Sequence, residues 1–363
     1  MRIGILTYHR AHNYGAVLQC YALKEVIKSF GHEVNVIDYR QPEIEKRYSF
    51  KSIFSKDRFH MFNIMYKIPY ICLCVFRDLK RLYILHKKRI VFESFQKNHL
   101  DLSPIYNDVL GHYDTYVIGS DMLWADECMA GRFEDKYLGR FPHEKSKVVG
   151  YAISGTPKSF NKLFKQFSNE FLDNFCALSI REKILYNIVK DHTNRDVEQC
   201  IDPTLLTEKK LWEPLVEQSI TEKPYLVTYY LRMPREVRNK LNEKVYEFAT
   251  INNMAIVNID VSENAEPITV EKFVTILANS SYTITDSFHG IIFSLIFNRP
   301  FNAVKLNDSH DARYVDILNT LHIQECLICY SDRLAIPEIN YDEVNTRISD
   351  FRRSSLNFLK SNL

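Results

Sequence analysis

Residues 1–39, MRIGILTYHRAHNYGAVLQCYALKEVIKSFGHEVNVIDY, decide the fold. Ile3–Tyr8 is a short apolar run of strand length, and Ala16–Phe30 carries apolar residues at helical spacing. Gly31 stands where a helix would stop, and Val34–Tyr39 reads as the next strand. Strand, helix and strand in such close succession form a βαβ unit, whose strands run parallel. The sequence therefore opens a doubly wound α/β sheet. In such sheets ligands sit at the carboxyl ends of the strands, so the strand-to-helix loops are where chemistry is expected.

Working outward, strand-like runs return at Thr115–Gly119, Lys147–Ile153, Ala177–Ile180 and Val197–Ile201. A charged, proline-containing stretch at 203–224 then precedes a second α/β set. Its members are Tyr225–Leu231, a helix near 234–252, and strands at Ala255–Ile259, Tyr282–Thr285 and Phe301–Val304. The 363 residues suit two domains. The expected architecture is two Rossmann-like α/β domains, 1–210 and 211–340, facing across a cleft. A basic helical insertion at about 46–100 belongs to the first. Residues 341–363 form an amphipathic helix able to pack back on the first domain.

Composition narrows the class. Hydrophobic residues make up 46% and charged residues 25%, an ordinary globular balance. The start runs straight into a strand without the apolar segment of a signal peptide, so a cytoplasmic protein is expected. Eight cysteines then read as reduced thiols, and Cys326-x-x-Cys329 lacks the second pair a zinc site needs. No metal is expected. The net charge of +2 hides a strong local excess: Lys46–Lys97 holds thirteen Lys/Arg against Asp57, Asp78 and Glu93, with eleven Phe/Tyr interleaved. That mixture suits peripheral contact with an anionic membrane at its inner face, or a solvated helical insertion. The apolar run Ile68–Phe76 is far too short to span a bilayer. Without a reading motif, charge alone does not make nucleic acid a partner.

Four loops carry the sharper candidate chemistry. In His9–Gly15, Asn13 and Tyr14 can hydrogen-bond a sugar or carboxylate, and Gly15 allows close backbone approach at a helix start. After the strand at 115–119, Asp121 can orient or deprotonate an acceptor hydroxyl and Trp124 can stack on a sugar face; equally, Ser120 or Asp121 caps a helix and Trp124 lies in the core. Arg181 leaves a strand end, where a guanidinium grips a carboxylate or phosphate, or merely pairs with Glu182. The sharpest is Thr283-Ile284-Thr285-Asp286-Ser287-Phe288-His289-Gly290. Ser287 is a natural N-cap, and His289 in the first helical turn is placed for proton transfer beside an anion-attracting helix end. The helix dipole lowers the pKa of His289, so a resident acid needs a bound anion or a carboxylate such as Asp286 beside it. Lys305 and Arg313 can add positive charge to the same cleft.

These residues resemble a known family. Ile3-Gly4-Ile5-Leu6-Thr7-Tyr8 with Asn13-Tyr14-Gly15-Ala16-Val17-Leu18-Gln19, then Gly119-Ser120-Asp121 with Trp124, are similar to blocks of polysaccharide pyruvyl transferases. So are Ser179-Ile180-Arg181-Glu182-Lys183, Asp202-Pro203-Thr204-Leu205-Leu206 and Ile284-Thr285-Asp286-Ser287-Phe288-His289-Gly290, in the family's order. The resemblance implies a fold like GT-B glycosyltransferases, phosphoenolpyruvate as co-substrate with no cofactor or metal, and a lipid-diphosphate-linked saccharide as acceptor. It places the family's histidine on His289 and its arginine on Arg181, with Ser287 and Gly290 at the donor. Several relatives carry an arginine where this chain has Ser287, which leaves the phosphate grip to Arg313, Lys305 or the helix N-terminus. A ketal on a sugar of a surface-glycan precursor, 4,6-linked on galactose in many relatives, is the implied product. Two rivals remain: a GT-B glycosyltransferase using a nucleotide sugar, since one fold hosts many reactions, and a non-catalytic membrane-surface binder built on the basic segment.

Overall fold

The computed structural model describes residues 1–42, 44, 64–106, 110–143, 145–262 and 265–363; for 64–75 and 78 it describes the backbone course alone. The first part of the basic segment, 46–63, therefore lies outside the described residues, as do the side chains of the apolar run 68–75.

Seven parallel strands form the first sheet: β1 (Arg2–Leu6), β2 (Glu33–Tyr39), β3 (Leu102–Tyr106), β4 (Thr115–Asp121), β5 (Lys147–Ile153), β6 (Ala177–Ile180) and β7 (Val197–Gln199). They lie in the order β3-β2-β1-β4-β5-β6-β7. The second sheet holds β8 (Tyr225–Tyr229), β9 (Ala255–Ile259), β10 (Tyr282–Thr285), β11 (Phe301–Lys305) and β12 (Leu327–Cys329), also parallel, in the order β12-β11-β10-β8-β9. Both are doubly wound. The strand order reverses between β1 and β4 in one sheet and between β8 and β10 in the other, and the crevice at such a reversal is where ligands bind.

The helices that matter to the site are α1 (Tyr14–Ser29), α2 (Ile64–His99), α3 (Pro157–Phe167), α4 (Lys183–His192), α5 (Arg235–Ile251), α6 (Val270–Ala278), α7 (Phe288–Ile296), α8 (Ala312–Leu321) and α9 (Tyr341–Asn362). No helix follows β4 directly, contrary to the capping role open to Ser120 and Asp121. Ser120 instead lies inside the strand and donates its hydroxyl to the Ala152 carbonyl at 2.8 Å.

Helix α1 is buried nearly all round because it lies between the first sheet and the second domain. Tyr14 stacks on Phe273 of α6 with centroids 4.5 Å apart. Tyr21 meets Trp212, which in turn meets Phe293 of α7. One continuous apolar core thus spans both sheets. Helix α2 straps the two domains from outside: Phe92 packs on Tyr14, Lys87 pairs with Glu266 at 3.1 Å and Lys88 donates to the Ser262 carbonyl at 2.7 Å. Helix α9 runs back to the first domain, where the Ser355 hydroxyl accepts from the Ile201 amide at 2.9 Å and Arg352 donates to the Leu205 carbonyl at 2.8 Å. Among the described residues no helix is long and apolar enough to cross a membrane.

Candidate active site

A cavity of about 140 Å³ opens between the two switch points. Four loops build it. The β1–α1 loop contributes Tyr8 and Asn13, the end of β4 contributes Asp121, the loop after β8 contributes Leu231, and the β10–α7 turn contributes Ser287, Phe288 and His289. Arg313 closes the wall from α8.

Two helices aim their N-terminal ends at this space. Asn13 caps α1, accepting from the Ala16 amide at 3.3 Å, and Ser287 caps α7, accepting from the Gly290 amide at 3.2 Å. The positive ends of both helix dipoles therefore meet at the cavity and favour an anion there. The approach of the two helices is close enough to dictate a glycine. A Cβ on Gly15 would lie 2.0 Å from Nδ1 of His289, so the first turn of α1 must lack a side chain where the imidazole rests on it. Gly15 thus makes room for His289 rather than for a sugar.

His289 is buried, and its Nε2 has no hydrogen-bond partner among the described residues. Burial pushes its pKa below the ordinary value; the carboxylates of Asp202 and Asp121 pull it up, while Arg181 and Arg313 push it down. The nearest carboxylate oxygen is Asp202 Oδ2 at 3.8 Å from Nε2. Asp286, the expected carboxylate neighbour, is instead committed to the backbone: it accepts from the amides of Leu231 and Arg232 at 2.6 and 2.9 Å and so shapes the loop after β8.

Asp202 was not among the candidate residues picked for chemistry. It is fully buried, with Oδ1 accepting from the Thr204 amide and hydroxyl and Oδ2 accepting from Arg181 at 2.6 Å. Burial alone would raise its pKa, but Arg181 and His289 hold it below the usual carboxylate range. Its signal in the sequence was the Asp-Pro-Thr turn directly after a strand, the same kind of position that singled out Asp121.

Arg181 does not reach the cavity. Its guanidinium donates to Glu182 at 2.7 Å, to Asp202 at 2.6 Å and to the Ser154 hydroxyl at 2.8 Å, and it lies over the Phe288 ring at 4.5 Å. Burial works against its charge, but Glu182 and Asp202 outweigh that and its pKa stands above the ordinary value. The direct donor contact expected of Arg181 is corrected accordingly: two carboxylates already hold it, and its effect on the cavity runs through Asp202.

Arg313 is the opposite case. Only its Nε has a partner, the His310 carbonyl at 3.4 Å, and no carboxylate among the described residues lies within ion-pair distance. Burial, together with the nearby Arg181 and Arg232, lowers its pKa, against weaker help from Glu182 and Asp121. Lys305 ends β11 and does not line the cavity. Arg232 is pinned by Asp308 and by Asp311 at 3.2 Å. Among the described residues, the cation that faces the cavity without a carboxylate is Arg313.

Three further expectations change. Trp124 cannot stack on a sugar: it is fully buried among Phe160, Phe171 and Phe175, with its ring nitrogen donating to the Tyr137 carbonyl at 3.0 Å. Tyr14 donates its hydroxyl to the Ile268 carbonyl at 3.0 Å, and burial raises its pKa to about 12; it is an interdomain strut. Gly290 offers its amide to Ser287, and its bare Cα leaves room for the Thr285 hydroxyl, 2.7 Å from where a Cβ would be. Asp121 does line the cavity, in a left-handed conformation (φ 81°) unusual for a residue with a side chain, and its Oδ1 accepts from the Met122 amide at 2.8 Å. Among the described residues there is no cluster of His, Cys, Asp and Glu able to hold a metal ion.

Two facing Rossmann-like domains thus bring a histidine, a carboxylate and an arginine with no carboxylate partner among the described residues to one cavity at their switch points. The sequence match is specific: a profile of the family described as polysaccharide pyruvyl transferase fits residues 13–308, and the chain belongs to that family. The chain also resembles solved structures in overall fold. These include the UDP-GlcNAc 2-epimerase from Methanocaldococcus jannaschii (10% identity, 96% of this chain and 92% of that one, TM-score 0.48). Another is E. coli heptosyltransferase WaaC with ADP-2-deoxy-2-fluoro heptose (11% identity, 85% and 90%, TM-score 0.40). No curated protein sequence matches the chain significantly.

Proposed function

We propose that the protein transfers the enolpyruvyl unit of phosphoenolpyruvate to a sugar of a lipid-linked surface-glycan precursor, forming a pyruvate ketal and releasing phosphate. The observation that carries this reading is Arg313: a partly buried guanidinium with no carboxylate partner among the described residues, beside a buried histidine and two helix N-termini, suits a small polyanion. The modest cavity volume suits such a donor.

Arg313 pairs with one anionic group of the donor, and the N-terminal ends of α1 and α7 take the other. The arriving negative charge, with Asp202 and Asp121, favours the imidazolium form of His289 that burial alone disfavours. His289 then gives its proton to the methylene carbon, which becomes a methyl group, and positive charge develops at the neighbouring carbon. A sugar hydroxyl adds there while Asp121 accepts its proton. The bond to the phosphate oxygen breaks, the second hydroxyl closes the ketal, and its proton leaves on phosphate. The proton held by Asp121 returns to His289, so the site ends as it began. A well-placed proton donor of this kind contributes roughly 10²–10⁴-fold. The sugar pair used, 4,6 on galactose, and the cytoplasmic location belong to the same proposal.

The test is incubation with phosphoenolpyruvate and simple β-galactosides, following phosphate release and product mass together. A sugar gaining a pyruvate ketal with matching phosphate is the expected result. If the melting temperature rises with nucleotide sugars and stays unmoved by phosphoenolpyruvate, the donor assignment is wrong.

A further inference from the structure

Helix α2 has two faces. The inner one buries Ile84, Phe92 and Phe95 against the body of the protein. The outer one exposes Phe76 (71%), Leu79 (59%), Tyr83 (53%) and Ile90 (53%), spaced so that they fall on one side of the helix. Large apolar side chains exposed singly are ordinary; four aligned on one helix face are a patch. In sequence, residues 76–99 of the helix hold Arg77, Lys80, Arg81, Lys87, Lys88, Arg89 and Lys97 against two acids, Asp78 and Glu93. An apolar ridge flanked by excess cations matches a surface that is itself apolar below and negative above.

We infer that the outer face of α2 docks on an anionic lipid bilayer, with Phe76, Leu79, Tyr83 and Ile90 at the acyl boundary and the exposed Lys80 and Lys97 among the headgroups. The inner face of the same helix stacks Phe92 on His12, one residue from Asn13 at the cavity. Docking along α2 therefore brings the cavity to the bilayer, which is where a lipid-linked acceptor is held. The inference rests on the acceptor proposed above for its purpose, but not for its chemistry.

The measurement is flotation of the full-length protein with vesicles of phosphatidylcholine, with and without phosphatidylglycerol. Co-flotation with the anionic vesicles alone, weakening with added salt, is expected. Lys80→Gln with Lys97→Gln should lower the partition coefficient roughly thirtyfold, at about 1 kcal/mol for each cation near the surface. Phe76→Ser with Leu79→Ser should lower it at least tenfold, with unchanged melting temperature because both side chains are exposed. Equal binding to neutral vesicles, absence of flotation, or variants that float like the parent would each overturn the docking surface. Activity on a soluble galactoside is read separately. Flotation with no ketal formed would sink the proposed reaction and leave the docking face standing; ketal formation without flotation would do the reverse.

Discussion

Two arginines stand at the same cleft, one from each domain, and their surroundings differ. Arg181 of the first domain is held by Glu182, Asp202 and Ser154, each within hydrogen-bond distance. Arg313 of the second reaches one backbone carbonyl and, among the described residues, no carboxylate. A buried charge that is paired on every side has a structural task, because its partners could not be buried without it. A charge left unpaired at a cavity wall is costly to keep in the empty protein, and a ligand anion is what relieves that cost. The comparison separates the two arginines: Arg181 belongs to a charged frame beneath the cavity, and Arg313 is left open at the cavity wall.

The largest effect should come from the residue between these two regions. His289→Ala should lower turnover by roughly 10²–10⁴-fold. Donor binding, read as the rise in melting temperature with phosphoenolpyruvate, should persist through Arg313. Near-normal turnover by a correctly folded variant would remove His289 from proton transfer and break the link between frame and cavity.

Arg181→Met tests the frame itself. Removing one partner of a buried ion pair costs about 3–5 kcal/mol, because Asp202 and Glu182 would stay buried without their counter-ion. Denaturant unfolding should show that loss. A variant of unchanged stability with weakened donor binding would reverse the assignment and return Arg181 to the substrate.

Arg313→Gln should do what Arg181→Met does not. Stability should hold or rise, since a cation without a carboxylate partner is removed, while donor affinity drops by roughly 10–100-fold, the worth of a charge-assisted hydrogen bond. Titration of phosphoenolpyruvate by thermal shift gives both numbers on one sample. Loss of stability with unaltered donor affinity would mean that Arg313 also belongs to the frame.

How far this contrast was legible beforehand follows from range. The opening βαβ unit, the strand ends that carry Asp121 and Arg181, and the Ser287 cap that sets His289 in its helix are local patterns, and local patterns survive in a sequence. The partner of Arg181 is 21 residues away in Asp202, and the lack of a partner at Arg313 is a property of the folded cleft. Trp124 has the side chain of a sugar platform, but three phenylalanines from other elements decide its burial. Strand β3 escaped notice for a plain reason: it is a half-exposed edge strand with Pro104 in its middle, which blunts the strand pattern. The rule that Gly15 allows a close approach held, but the approaching group was His289 of the other domain.

The smallest effect sharpens the comparison at its edge. Tyr14 sits one residue from Asn13, yet its hydroxyl turns away from the cavity to the Ile268 carbonyl, and its ring stacks on Phe273. Tyr14→Phe keeps the ring and its stacking, and deletes one buried hydrogen bond, leaving the carbonyl of Ile268 without that donor. A loss of about 1 kcal/mol in unfolding free energy is expected. The apparent KM for the sugar should not change, because the hydroxyl is engaged 3.0 Å away by backbone of the second domain. If the KM rose while stability held, Tyr14 would be contacting the acceptor and would not be a strut alone.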